Sequence, residues 1–124
     1  QRALGRIDLG DFKAIADDVA ALINHLGLGQ ADVMGYSNGG SVAVRAAIQH
    51  PELVRKLIVV STPFKRDGWY PEVQAGMAQM SAEAAEPMKR TPMYQLYESI
   101  APRIEDWPVL LDKTGDMMRQ NYDW

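Results

Sequence analysis

A serine flanked by glycines stands where an extended segment gives way to a helical one. The segment reads Gly35-Tyr36-Ser37-Asn38-Gly39. Such a strand-to-helix turn, a nucleophile elbow, lifts the serine hydroxyl clear of the sheet edge, where it can act as a nucleophile. The sharp reversal brings the backbone two residues before and two residues after the serine close together, which favours glycine because it has no Cβ. The pattern therefore predicts Ser37 as a nucleophile, with Gly35 and Gly39 as the elbow glycines.

The helix that begins at this turn directs backbone N–H groups at the same place. The first N–H groups of a helix have no partner within the helix, and fixed N–H donors stabilise a developing oxyanion. With glycine at about 7% of residues, the bare pattern arises by chance in roughly one chain in thirty of this length. Its position at a strand-to-helix junction is the context that the motif requires, and this context favours the functional interpretation.

A packing helix is predicted before the turn. Apolar residues recur at spacings of three and four between residues 11 and 26, which is typical of one face of a helix. Asp8 or Asp11 can cap its start. Gly27 supplies a left-handed stop, and Leu28 can make the apolar contact that often follows such a stop.

The turn itself is predicted to lie inside one βαβ unit. Residues 31–36 form the first strand, and residues 39–50 form the helix, which Pro51 ends. The apolar run at residues 57–60 predicts a second strand that is covered on both faces of a parallel sheet. The fold class is therefore α/β.

The composition changes after residue 63. The remaining residues hold eight of the ten aromatic residues and six of the seven methionines. Their short apolar periods predict three or four helices and no strand, with Pro92 and Pro108 at first helical positions. We divide the chain into residues 1–63 and residues 64–124. The methionines either pack between these helices or form an adaptable apolar wall over Ser37; they are Met77, Met80, Met88, Met93, Met117 and Met118.

The chain resembles the α/β-hydrolase superfamily. The segments that carry the resemblance are residues 16–22 (ADDVAAL), 26–28 (LGL), 35–40 (GYSNGG) and 50–60 (HPELVRKLIVV). The resemblance implies that residues 1–63 are a partial core of a mainly parallel α/β-hydrolase sheet. It also implies that residues 64–124 belong to a helical cap, or lid.

The resemblance implies a function as well. Members of the superfamily hydrolyse an ester or related acyl bond through an acyl-enzyme, here on Ser37, and the backbone N–H of Asn38 would be one oxyanion donor. The substrate expected is a small molecule, a hydrophobic ester, and no cofactor is expected. Lactonase, C–C hydrolase and haloperoxidase-like reactions share this turn and stay open.

The remaining catalytic groups are not found in the sequence. His25 and His50 both lie about 20 Å from Ser37 by helix and strand lengths, and they are interpreted as helix-terminal or surface residues. Asp67 is interpreted as a loop charge, and Asp32 lies below the turn. We therefore expect the acid, the histidine and the second oxyanion donor to lie outside this chain, as in an internal piece of a hydrolase of about 250 residues. Such a piece alone would be nearly inactive.

Composition excludes several classes of function. The net charge of −3 and the pI near 5.3 come without a basic stripe, so neither nucleic acid nor a membrane surface is an expected partner. There is no cysteine, so disulfides and thiolate sites are excluded. No metal site and no apolar run of bilayer length is predicted, and a cytoplasmic location follows as the expectation. The sequence makes no prediction of oligomeric state.

Two other functions compete with hydrolysis. A glycine-rich turn at a helix start can bind a nucleotide phosphate, although the acidic residue expected about twenty positions later is absent and Ser41 stands where a P-loop has lysine. The second alternative is a hydrolase scaffold without chemistry that serves as a binding module.

Overall fold

The computed structural model describes residues 11–124, so Asp8, one of the two predicted caps, lies outside the described residues. The chain divides into two compact units. One contains residues 11–70 and 120–124, and the other contains residues 71–119. The sequence-based division into residues 1–63 and 64–124 stays a prediction.

The first helix, α1 (Phe12–His25), begins and ends as predicted. The side chain of Asp11 accepts a hydrogen bond from the Ala14 N–H at 2.8 Å, which caps the helix start. Gly27 has a φ of +66° just beyond the helix end, in the left-handed region that favours glycine. The buried residues of α1 are Phe12, Ala16, Ala20 and Ile23. Three members of the predicted apolar face, Phe12, Ala16 and Ile23, are buried, whereas two others, Leu22 and Leu26, are exposed. The full predicted face is Phe12, Ile15, Ala16, Val19, Leu22, Ile23 and Leu26.

The predicted βαβ unit is confirmed. Strand β1 (Ala31–Tyr36) is followed by helix α2 (Asn38–Gln49) and then by strand β2 (Val54–Val60). The two strands pair in parallel, with Tyr36 opposite Val60 at their carboxyl ends. Helix α2 packs against both strands and against α1. Because parallel strands end at the same edge, the residues that follow β1 and β2 lie side by side.

The prediction that β2 is covered on both faces is wrong for the described part of the chain. Every residue from Arg55 to Val60 is exposed, and Ile58 exposes 51% of its surface. The sheet of the described residues has only two strands. Only α1 and α2 are available in this unit to cover the faces of these strands. The apolar run correctly predicts a strand but not its burial.

The unit of residues 71–119 is helical, as predicted. Its α-helices are α3 (Pro71–Ala78), α4 (Ala85–Met88), α5 (Pro92–Ile100) and α6 (Trp107–Arg119). Thr91 caps α5 by accepting from the Tyr94 N–H, and Pro92 is the first helical residue. Pro108 is the second residue of α6 rather than the first. Within residues 71–119 the structure has no strand.

Trp107 is the centre of this helical unit. It is 1% exposed and packs with Ala85 and Leu111. The rings of Tyr94 and Tyr97 lie 5.3 and 5.1 Å from its ring. Four methionines also have a packing role: Met77 and Met117 are buried, and Met80 and Met88 border the Trp107 cluster. Met93 is 55% exposed.

Candidate active site

Ser37 occupies a strained turn between β1 and α2. Its φ is 53° and its ψ is −125°, a sparsely populated conformation with positive φ that costs a residue with a Cβ of the order of 1–3 kcal/mol. Among the described residues other than glycine, only Ser37 and Ser61 have a positive φ. The Ser37 side chain is half-buried and makes no capping hydrogen bond to α2. The hydroxyl is therefore not used to stabilise the helix start.

Two glycines allow the chain to reverse direction this sharply. A Cβ at Gly35 would overlap the carbonyl group of Gly39, and a Cβ at Gly40 would overlap the side chain of Thr62. A Cβ at Gly39 would meet no heavy atom within 4 Å. The positions that exclude a side chain are thus 35 and 40. The sequence pattern did not single out Gly40, and the double glycine was the signal that could have done so.

The backbone of Ser37 is tied to both neighbouring elements. Its N–H donates to the Val60 carbonyl oxygen at 3.0 Å, which continues the pairing of the two strands beyond their ends. Its carbonyl oxygen accepts hydrogen bonds from the N–H groups of Gly40 at 2.8 Å and Ser41 at 3.3 Å. The Thr62 hydroxyl donates to the same oxygen.

Asn38 is the first residue of α2 and directly follows Ser37. The first N–H groups of a helix lack intrahelical acceptors, and the helix dipole adds partial positive charge there. The Asn38 N–H, at the start of α2, is therefore a candidate donor for a negatively charged oxygen beside Ser37. Ser37 and Asn38 are consecutive in the sequence, and their roles as nucleophile and oxyanion donor stay predictions.

The structure brings neither histidine to Ser37. His50 ends α2, about 20 Å from its start at 1.5 Å per residue. The His50 Nε2 atom lies 2.7 Å from Asp17 Oδ1 on α1. His25 is the last residue of α1 and is exposed. Neither residue is placed to accept the Ser37 proton.

The two carboxylates considered in the sequence face other partners. Asp67 is 76% exposed and lies 3.5 Å from the Lys65 Nζ atom. Asp32 accepts two hydrogen bonds from the Arg55 guanidinium, at 2.8 and 2.9 Å. These hydrogen bonds hold the pKa of Asp32 below its usual 3.8. Each carboxylate thus has a basic partner of its own, Lys65 for Asp67 and Arg55 for Asp32.

A cavity of about 360 Å³ lies elsewhere in the unit that contains Ser37. Its walls include Phe12, Arg45 and Trp124, and the Arg45 guanidinium lies 5.3 Å from the centre of the Trp124 ring. Ser37 does not line this cavity. Within residues 11–124, no group of His, Asp and Glu side chains could hold a metal ion. No helix among the same residues combines the length and the apolar character that crossing a bilayer requires.

Sequence comparison identifies relatives of the chain. The family model for the α/β hydrolase fold matches residues 3–100. A homoserine O-acetyltransferase from Thermus thermophilus is 44% identical over 58 residues, which are 47% of this chain and 15% of that protein. A putative carbamate hydrolase RutD from Rhizobium rhizogenes is 38% identical over 60 residues, 48% of this chain and 23% of that protein. A pimeloyl-[acyl-carrier protein] methyl ester esterase from Aeromonas hydrophila is 40% identical over 74 residues, 55% of this chain and 28% of that protein.

Structure comparison agrees on the fold. A probable hydrolytic enzyme from Pseudomonas aeruginosa PAO1 superposes with a TM-score of 0.50 at 22% identity, over 90% of this chain and 43% of that one. The chain thus spans less than half of the solved structure, and 15 to 28% of the curated relatives named above.

Proposed function

Because the chain belongs to the α/β-hydrolase fold family, we propose that the protein is a serine hydrolase that cleaves an ester or related acyl bond through an acyl-enzyme on Ser37. The observation that carries this proposal is the conformation of Ser37. Its left-handed φ of 53° at a strand-to-helix junction, with its hydroxyl outside the helix cap, matches a nucleophile elbow. A merely structural serine at a helix start would take an extended conformation and cap the helix.

The proposed reaction has two stages. The Ser37 Oγ attacks the substrate carbonyl carbon while its proton passes to a general base, and the carbonyl oxygen becomes an oxyanion beside the Asn38 N–H. Collapse breaks the bond to the leaving alcohol, which takes the proton, and leaves the acyl group on Ser37. Water then attacks the acyl carbon by the same route and releases the acid. One oxyanion donor contributes about 2.7–4 kcal/mol to such a transition state.

The general base, its acid and a second oxyanion donor are proposed to come from outside residues 1–124. His50 pairs with Asp17, Asp32 pairs with Arg55, and Asp67 is exposed in a short 3-10 helix, residues 66–68. A serine without a positioned base is a weak nucleophile. We therefore expect residues 1–124 alone to show nearly background activity.

The substrate class is proposed from the relatives. Their names refer to a methyl ester, a carbamate and an O-acetyl transfer, and all three reactions involve attack on a carbonyl carbon that carries a heteroatom. We propose a small hydrophobic ester as the substrate. Transfer of the acyl group to an alcohol instead of water is a second candidate, favoured by the 44% identity to the acetyltransferase.

The test is covalent labelling of the full-length protein with a fluorophosphonate. We expect one label per molecule on the peptide that contains Ser37, and no label on the Ser37→Ala variant. Esterase activity of this variant should fall by about 10⁴-fold or more. A matched control is Ser99→Ala, which removes an exposed hydroxyl that donates to the Leu96 carbonyl oxygen at 2.7 Å, and it should behave as wild type.

Other outcomes would favour the competing functions. Tight binding of ATP or NAD without labelling of Ser37 would support a nucleotide-phosphate site at the turn. A folded protein with neither labelling nor nucleotide binding would support a non-catalytic binding module. Either result would overturn the hydrolase proposal.

A further inference from the structure

A threonine at the end of the second strand holds the turn of the first. Thr62 follows β2 by two residues, and its hydroxyl donates to the carbonyl oxygen of Ser37. Ser61, which lies between the end of β2 and Thr62, has a φ of 54°, so the chain turns sharply after Val60. The residue that follows the strained Ser61 is therefore the one whose hydroxyl contacts the strained Ser37.

The acceptor in this contact is unusually well occupied. The Ser37 carbonyl oxygen accepts from the Gly40 N–H at 2.8 Å and from the Ser41 N–H at 3.3 Å, in addition to the Thr62 hydroxyl. Strained backbone persists only where its surroundings fix it by more than one contact. Gly40 and Ser41 belong to the same helix as the turn, so Thr62 supplies the one donor of the three that comes from outside α2.

The contact also determines where the next N–H group points. The Ser37 carbonyl and the Asn38 N–H are parts of one planar trans peptide group, in which the C=O and N–H bonds point in opposite directions. A donor that fixes the direction of the carbonyl therefore fixes the direction of the N–H. A rotation of this peptide would turn the Asn38 N–H away from an oxyanion beside the Ser37 hydroxyl.

We propose that Thr62 is a positioning residue for the oxyanion donor: its hydroxyl holds the Ser37–Asn38 peptide so that the Asn38 N–H faces the developing oxyanion. The inference rests on the proposed hydrolase function. It assigns Thr62 no contact with the substrate, and it predicts a defect in the transition state rather than in substrate binding.

Three variants of the full-length protein separate the hydroxyl from the shape of the side chain. Thr62→Val keeps the shape and removes the donor, and Thr62→Ser keeps the donor. We expect Thr62→Val to lower kcat by about tenfold to a hundredfold, with KM within about threefold of wild type. This loss is smaller than the loss caused by removing an oxyanion donor, because the Asn38 N–H is still present and only its direction changes. Thr62→Ser should restore kcat to within about threefold. If Thr62→Val fails to fold, the comparison of Thr62→Ala with Thr62→Ser provides the same test.

Binding of a transition-state analogue distinguishes a positioning role from a purely structural one, because a purely structural role of Thr62 would leave the dissociation constant unchanged. A trifluoromethyl ketone adds to the serine and forms an oxyanion, so its dissociation constant should rise for Thr62→Val by the same factor as kcat falls. Thr91→Val is the matched control, because Thr91 also donates to a backbone carbonyl oxygen, that of Met88 at 2.7 Å. This variant should lower the melting temperature and leave kcat and ketone binding unchanged.

Two results would overturn the inference while the hydrolase function stands. One is a wild-type kcat in Thr62→Val in a protein whose Ser37 is labelled by fluorophosphonate. The other is a loss of kcat that follows the melting temperature equally in Thr62→Val and Thr62→Ser. Full activity in Ser37→Ala would instead contradict the proposed function itself.

Discussion

The turn at Ser37 and the core around Trp107 are stabilised by different kinds of contact. At the turn, backbone N–H groups and one threonine hydroxyl donate directional hydrogen bonds to the Ser37 carbonyl oxygen, and no side chain fits at Gly35 or Gly40. Around Trp107, aromatic and aliphatic surface is buried, and one side-chain hydrogen bond joins Trp107 Nε1 to the Ala85 carbonyl oxygen at 3.1 Å. The turn therefore depends on the direction of its hydrogen bonds, and the core depends on buried side-chain volume. Different substitutions should therefore destabilise the two regions.

Removal of volume from the core should have the largest effect on stability. Trp107→Ala deletes the centre of the cluster, and truncating a buried aromatic residue costs about 3–5 kcal/mol of unfolding free energy. Trp107→Phe loses the hydrogen bond to Ala85 but keeps most of the volume, so it should cost clearly less. Denaturant unfolding of the two variants measures both values. Equal losses would mean that the hydrogen bond, and not volume, dominates this core.

Addition of a single methyl group at the turn should come next. Gly35→Ala places a Cβ against the Gly39 carbonyl group, and such overpacking costs about 1–3 kcal/mol. Gly39→Ala is the matched control, because a Cβ there meets open space and alanine favours the helix. The melting temperature should fall for Gly35→Ala and should stay equal or rise slightly for Gly39→Ala. A similar fall in both would break the distinction between the two glycines.

The exposed ion pair between Asp32 and Arg55 should have the smallest effect. Exposed pairs contribute little to stability. Arg55 lowers the pKa of Asp32 below 3.8, so the contribution is present above pH 3.8 and is lost as the pH falls through the lowered value. Asp32→Asn should give a small decrease in melting temperature at pH 7 that shrinks in 1 M salt and vanishes in acid. The double variant Asp32→Asn, Arg55→Gln should match Asp32→Asn; a further loss would indicate another partner for Arg55.

The residue types next to each position made the turn at Ser37 and the ends of α1 and α5 predictable. The Asp11 cap, the left-handed Gly27 and the Pro92 start each follow from one residue type in one backbone setting. The position of Ser37 between a strand and a helix follows from the change in apolar periodicity on either side of it. These features depend on neighbours within four residues, so a single sequence contains the information that determines them.

Features that depend on distant segments could not be predicted. The contact of Thr62 with Ser37 spans 25 residues and directly follows the positive φ of Ser61, for which serine gives no signal. The exposure of Ile58 depends on how many strands and helices surround β2. The apolar run at residues 57–60 predicts its strand but contains no information on its cover.

The distribution of the indole rings has a consequence for spectroscopy. Trp107 belongs to the helical unit, while Trp69 and Trp124 belong to the unit that contains Ser37. Variants that retain one tryptophan would therefore emit fluorescence from one unit at a time. The shielded Trp107 would emit at shorter wavelengths than a solvated indole, and its red shift on heating would monitor the melting of residues 71–119 separately from the loss of the serine turn.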